Sequence, residues 1–144
     1  MNREETHNVL TYLVTAGKVQ PLDGQAGVWH DALAGIRYED AIAACRAVAA
    51  SDKTWVTPGT VQAEVRRIRR ERIGNATPPP PPPDVTDPRA QIAYQRAWYA
   101  AVGDGQAPEA ADAAACAQIG AQRLAEVETR RPVSALLEGA VRHA

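Results

Sequence analysis

Arg66, Arg67, Arg69, Arg70 and Arg72 form the densest concentration of chemistry-bearing side chains in this chain. A guanidinium is always charged and presents a planar fork of donors that matches phosphate or carboxylate oxygens. At about 100° per residue, Val61, Val65 and Ile68 share one side of a helix, and Arg66 and Arg70 lie roughly opposite, flanked by Arg67 and Arg69. The spacing therefore predicts a water-facing basic surface made by Arg66, Arg67, Arg69 and Arg70. Such a surface neutralises phosphates with salt-dependent affinity, or docks an acidic partner. Glu64 and Glu71 are placed to pair with part of it. No aromatic interleaving and no recognition-helix signature accompany it, which argues against reading of a DNA sequence.

Catalytic chemistry has little to draw on. His7, His30 and His143 have no Cys, Asp or second His at ligand spacing on the same face, and read as surface or boundary residues. Cys45 and Cys116 each sit among alanines and read as small core residues with free thiols. The carboxylate pairs Glu4-Glu5 and Glu39-Asp40 stand where helices begin, and there the helix dipole favours negative charge. Gly24-Gln25-Ala26-Gly27 and Gly103-Asp104-Gly105 lack the Lys-Ser/Thr ending and the preceding strand of a phosphate loop. The expectation is a non-enzyme with no catalytic residue, no cofactor and no metal.

The aromatic residues are few, and each has a placement to predict. Trp29 anchors an apolar stripe, and Trp55 is expected to lie as a lid over a small core. Tyr94, Trp98 and Tyr99 form either the centre of a second unit or an exposed binding patch. After Pro132, the residues Val133, Leu136, Leu137, Ala140 and Val141 recur at the spacing with which a short helix enters a partner's groove. Tyr94, Trp98, Tyr99, Val133, Leu136, Leu137 and Val141 are thus the candidate partner-binding residues.

The elements that position these groups are helical throughout. Asn2 with Glu5 has the form of a capping box, Thr57-Pro58 and Asp87-Pro88 combine a cap with a first-turn proline, and no stretch sustains two-residue alternation. Six consecutive prolines, Pro78 to Pro83, break the pattern; a run without N–H groups is expected to be an extended, solvated spacer. The predicted organisation is all-α. A small four-helix domain spans residues 1–75, a proline-rich linker residues 76–87, and an Ala-rich helical segment of marginal independent stability residues 88–144. A chain of 144 residues has room for about one domain. No apolar run reaches the ~18 residues of a membrane span, and the first residues lack a secretory pattern, so a cytoplasmic location without membrane contact is expected.

Residues 4–73 resemble the bacteriophage replicative-helicase loaders. The resemblance is carried by Glu4-Glu5 and a first helix with Leu10 and Leu13, by Trp29 followed by Ala32-Leu33, and by Tyr38-Glu39-Asp40-Ala41 opening the third helix. At the fourth helix, Thr57-Pro58-Gly59-Thr60 departs from the family's Pro-Thr-like start. The proline run and the Ala-rich second half have no counterpart in that pattern. The resemblance implies an adaptor whose folded N-terminal domain meets an origin-binding or single-stranded-DNA-binding protein. Its C-terminal part would bind a DnaB-type helicase and help load or inhibit it. Two other readings stay open: a DNA-binding regulator or DNA-packaging component using the Arg66 to Arg72 face, and a structural interaction protein or assembly chaperone.

Overall fold

A computed structural model describes residues 1–129, with side chains as far as Gln122. Among the described residues there are six helices and no strand: α1 (Arg3–Thr15), α2 (Gln25–Leu33), α3 (Tyr38–Ala49), α4 (Pro58–Gly74), α5 (Pro88–Gly103) and α6 (Pro108–Thr129). The helix starts follow from local chemistry. Asn2 accepts from the Glu5 amide while the Glu5 carboxylate takes the Asn2 amide, and Thr57 is capped reciprocally with Thr60. Asp87 caps α5 through the Ala90 amide at 2.9 Å, and Pro58 and Pro88 occupy first-turn positions whose amides would have no helical partner.

The chain divides into two compact units, the first being Met1–Asn75 and the second beginning at Ala76. In the first, α3 packs chiefly on α4, and α1 lies against α2 and α3. Val9, Leu13, Leu33, Ala41, Ala44, Cys45 and Val61 are wholly buried, with Trp29 and Val65 beside them. Ile36, Tyr38, Ile42 and Ile68 pack against this core as its half-buried rim. Trp29 and Leu33, one turn apart, take the inward face of α2, and Val28 is 67% exposed. One expectation is corrected. Trp55 is 62% exposed and is no lid. Successive residues of an extended segment point to opposite sides, and here Val56 takes the core, its amide donating to the Lys18 carbonyl at 3.1 Å.

The second unit is built on an antiparallel pair, α5 and α6, joined through a turn in which Gly105 adopts φ 85°. Tyr94, Trp98, Ala101 and Val102 of α5 bury themselves against Ala111, Ala115 and Ile119 of α6. The residues before α5 join this core. Ala76 packs against it, Val85 is buried, and Pro78, Pro79, Pro81 and Pro82 are half-buried. A turn holds the end of the run: the Val85 amide donates to the Pro82 carbonyl at 2.9 Å, and Gln91 Nε2 donates to the Val85 carbonyl at 3.0 Å. Pro82 and Val85 lie beside Tyr94, Cys116 and Ile119, so the end of the proline run packs with the second unit, while Pro80 and Pro83 are exposed.

Candidate partner-binding surface

The arginines of α4 fall into three groups with different partners. Arg67 is neutralised along its own helix: its Nη2 lies 2.7 Å from Glu64 Oε1, and its Nη1 pairs with Glu71. The hydrogen bond from Arg67 holds the Glu64 carboxyl below the usual carboxylate range. Arg69 and Arg72 reach back to α3. Arg69 Nε donates to Asp40 Oδ2 at 3.1 Å and Arg72 Nη1 to Asp40 Oδ1 at 2.6 Å, where Asp40 is only 2% exposed. Arg66 and Arg70 make up the third group. Both are exposed, neither has a carboxylate against it among the described residues, and Arg70 Nε donates to the Arg66 carbonyl at 3.3 Å.

The expected four-arginine face is thus corrected. Arg69 is drawn to the core side by a carboxylate from another helix, and Arg67 has its charge balanced, which leaves Arg66 and Arg70. The helical wheel held the missing signal. Arg72 lies only roughly 20° from Val61 on it, and a cation on the apolar side of a helix requires a buried acid. Asp40, taken in the sequence as a helix-start charge, is that acid.

Arg66 and Arg70 border a surface groove. One depression of about 320 Å³ is lined by Arg66, Arg69, Arg70 and Ile73. The next, of about 310 Å³, shares Arg66 and Arg69 and extends over Val65 to Ala32, Gly35 and Ile36 at the end of α2. Gln62 Nε2 donates to the Ala32 carbonyl at 2.7 Å and fixes the end of α2 on α4, so the opposite wall is held in place.

The aromatic candidates lie elsewhere and in a different state. Tyr94 and Trp98 are fully buried and do not form an exposed stripe. Tyr99 is half-buried, its ring edge-on to Trp98 at 5.3 Å between centroids. The physical reason is the row of alanines on α6, which brings that helix close enough to cover two large rings with few large side chains. The Tyr94 hydroxyl donates to Asp112, and Cys116 Sγ lies 3.8 Å from the same carboxylate. Burial, reinforced by that carboxylate, pushes the Tyr94 phenol and the Cys116 thiol up from their ordinary values. Val133, Leu136, Leu137 and Val141 lie outside the described residues.

The chain matches no known family, and no curated protein or solved structure matches it either. Among the described residues, no three His, Cys, Asp or Glu side chains converge as a metal site would require, and no helix is long and apolar enough to cross a membrane. His30 Nδ1 lies 3.3 Å from Thr6 Oγ1, a pairing that ties α2 to α1.

Proposed function

We propose that this chain is a non-enzymatic replication adaptor of bacteriophage type, which binds a DnaB-type helicase in the bacterial cytoplasm and loads or inhibits it. In this reading residues 1–75 are a four-helix adaptor domain, and the proline-rich residues 76–87 lead into the helical C-terminal part. An origin-binding or single-stranded-DNA-binding protein is a further partner, and contact with DNA is weak. The observation that supports the reading most is the groove along α4. It combines apolar walls with two exposed arginines that have no carboxylate partner among the described residues, a composition suited to docking. Val133, Leu136, Leu137 and Val141 remain a second candidate contact, whereas the burial of Tyr94 and Trp98 assigns those residues to the core of the second unit.

The test is complex formation between the full chain and purified hexameric helicases of this type from bacterial hosts, read by light scattering after size exclusion. A defined complex, with altered helicase deposition on single-stranded DNA, is the expected result. Separate elution from every helicase tried, with deposition unchanged, would overturn the reading. The alternative of a DNA-binding regulator rests on Arg66 and Arg70, and salt separates it from the adaptor. Two phosphate contacts predict a log–log salt slope of roughly −2 for duplex binding.

A further inference from the structure

We infer that the groove between the end of α2 and the C-terminal half of α4 is a docking site for an acidic amphipathic helix of a partner protein. The inference deepens the adaptor reading and rests on it for the identity of the partner, but its geometry stands alone. From Gln62 to Ile73 the groove follows α4 for roughly 17 Å, the length of three helical turns. Its apolar surface comes from Ala32, Ile36 and Ile73, with the buried Val65 at its floor, and its charge from Arg66 and Arg70.

Two features select the occupant. The first is charge: Arg66 sits between the two depressions and Arg70 beside one of them, so a carboxylate facing each would be paired on docking. Arg69 is already committed to Asp40 and lines both depressions, adding a held wall whose geometry does not have to be ordered on binding. The second is the apolar lining, which a phosphate backbone leaves uncovered and which a helix fills with residues at i, i+3 or i+4 and i+7. Another open depression of the first unit, beside Leu10, Val14 and Leu22, has no arginine, lysine or carboxylate in its lining and lacks this complementarity.

The probe is a synthetic helical peptide of about 16 residues with Leu along one face and Glu on its flanks. It is titrated into the isotopically labelled full chain beside a scrambled peptide of the same composition and an oligothymidine. The expected result is saturable binding of the patterned peptide, with shifts at Ala32, Ile36, Arg66, Arg70 and Ile73. Arg66→Glu with Arg70→Glu should weaken it about tenfold while the melting temperature stays within a degree or two. Equal binding of the scrambled peptide would overturn the inference. So would tighter binding of the oligothymidine at the same residues, which would make the groove a nucleic-acid surface. The same double variant, assayed for helicase complex formation, separates the two proposals. If the patterned peptide fails to bind and helicase capture persists, only the groove assignment falls; if the peptide binds as described and no helicase is captured, only the adaptor reading does.

Discussion

Asp40 and Arg72 meet at 2.6 Å across 32 residues of sequence, and the contact ties the first turn of α3 to the last turn of α4. Arg69 completes the clamp from one turn earlier on α4. Asp40→Asn keeps the size of the side chain but removes its charge and turns one of its two acceptor oxygens into an NH2 donor, so one guanidinium keeps only a neutral acceptor and the other faces a donor. Because each arginine side chain is about a third exposed and can turn to water, the expected cost is about 2–3 kcal/mol. Chemical denaturation followed by circular dichroism measures it. An unchanged midpoint would mean that the desolvation of Asp40 cancels everything the clamp contributes.

Trp29 and Trp98 each hold one of the two cores, at 3% and 0% exposure. Trp29→Ala is expected to destabilise the first unit, and Trp98→Ala the second, by about 3–5 kcal/mol each, since neither small core can close over the cavity. Amide hydrogen exchange resolves the two units. A loss of protection below 1 kcal/mol in the mutated unit would assign that ring to the periphery.

Burial pushes the Cys45 thiol up to about 12. In the unfolded chain the thiol ionises from about pH 9, so the folded state holds the proton more firmly between these values. The stability this contributes is complete below about pH 9 and is lost as the pH rises toward 12. Tyr94 acts in the same direction, its phenol being raised by burial and by its bond to Asp112. Denaturation midpoints taken at pH 8 and at about pH 10.5 should fall, and Cys45→Ala should reduce the fall. A midpoint that rises across this range would contradict the sign.

Thiol labelling of the native chain should separate the two cysteines. Cys45 is fully buried and is expected to react only on unfolding, while Cys116, half-buried with a raised thiol, reacts slowly but without global unfolding. Equal rates at both positions would show that α3 opens locally.

Val85 anchors the proline segment, buried at 5% with its amide on Pro82. A nonspecific protease should therefore cut residues 76–87 slowly in the native chain. Val85→Asp should speed cleavage there several-fold by forcing a charge out of the core. Rapid cutting of the unmodified chain within this stretch would return it to the solvated spacer that its composition suggests.

The sequence by itself determined what depends on neighbours along the chain. Asn2 with Glu5, Thr57 with Pro58, and Asp87 with Pro88 mark helix starts because caps and first-turn prolines act over three or four residues. The inward places of Leu13, Trp29, Leu33, Val61 and Val65 follow from a 3.6-residue period set by the backbone. The pairing of Arg67 with Glu64 and Glu71 was legible for the same reason.

Only the tertiary structure decided which arginines serve the fold and which stay exposed to solvent. Periodicity ranks side chains by angle, yet Arg69 and Arg72 were claimed by Asp40, a residue of another helix whose approach no local rule encodes. The second unit shows the same limit. Counting large apolar residues left Tyr94 and Trp98 open between the centre of a second unit and an exposed patch; the alanines of α6 cover them by letting two helices come close, and Ala76 adds to the seal. Burial is set by the distance between elements as much as by the size of the side chains on them, and that distance exists only once the helices have packed.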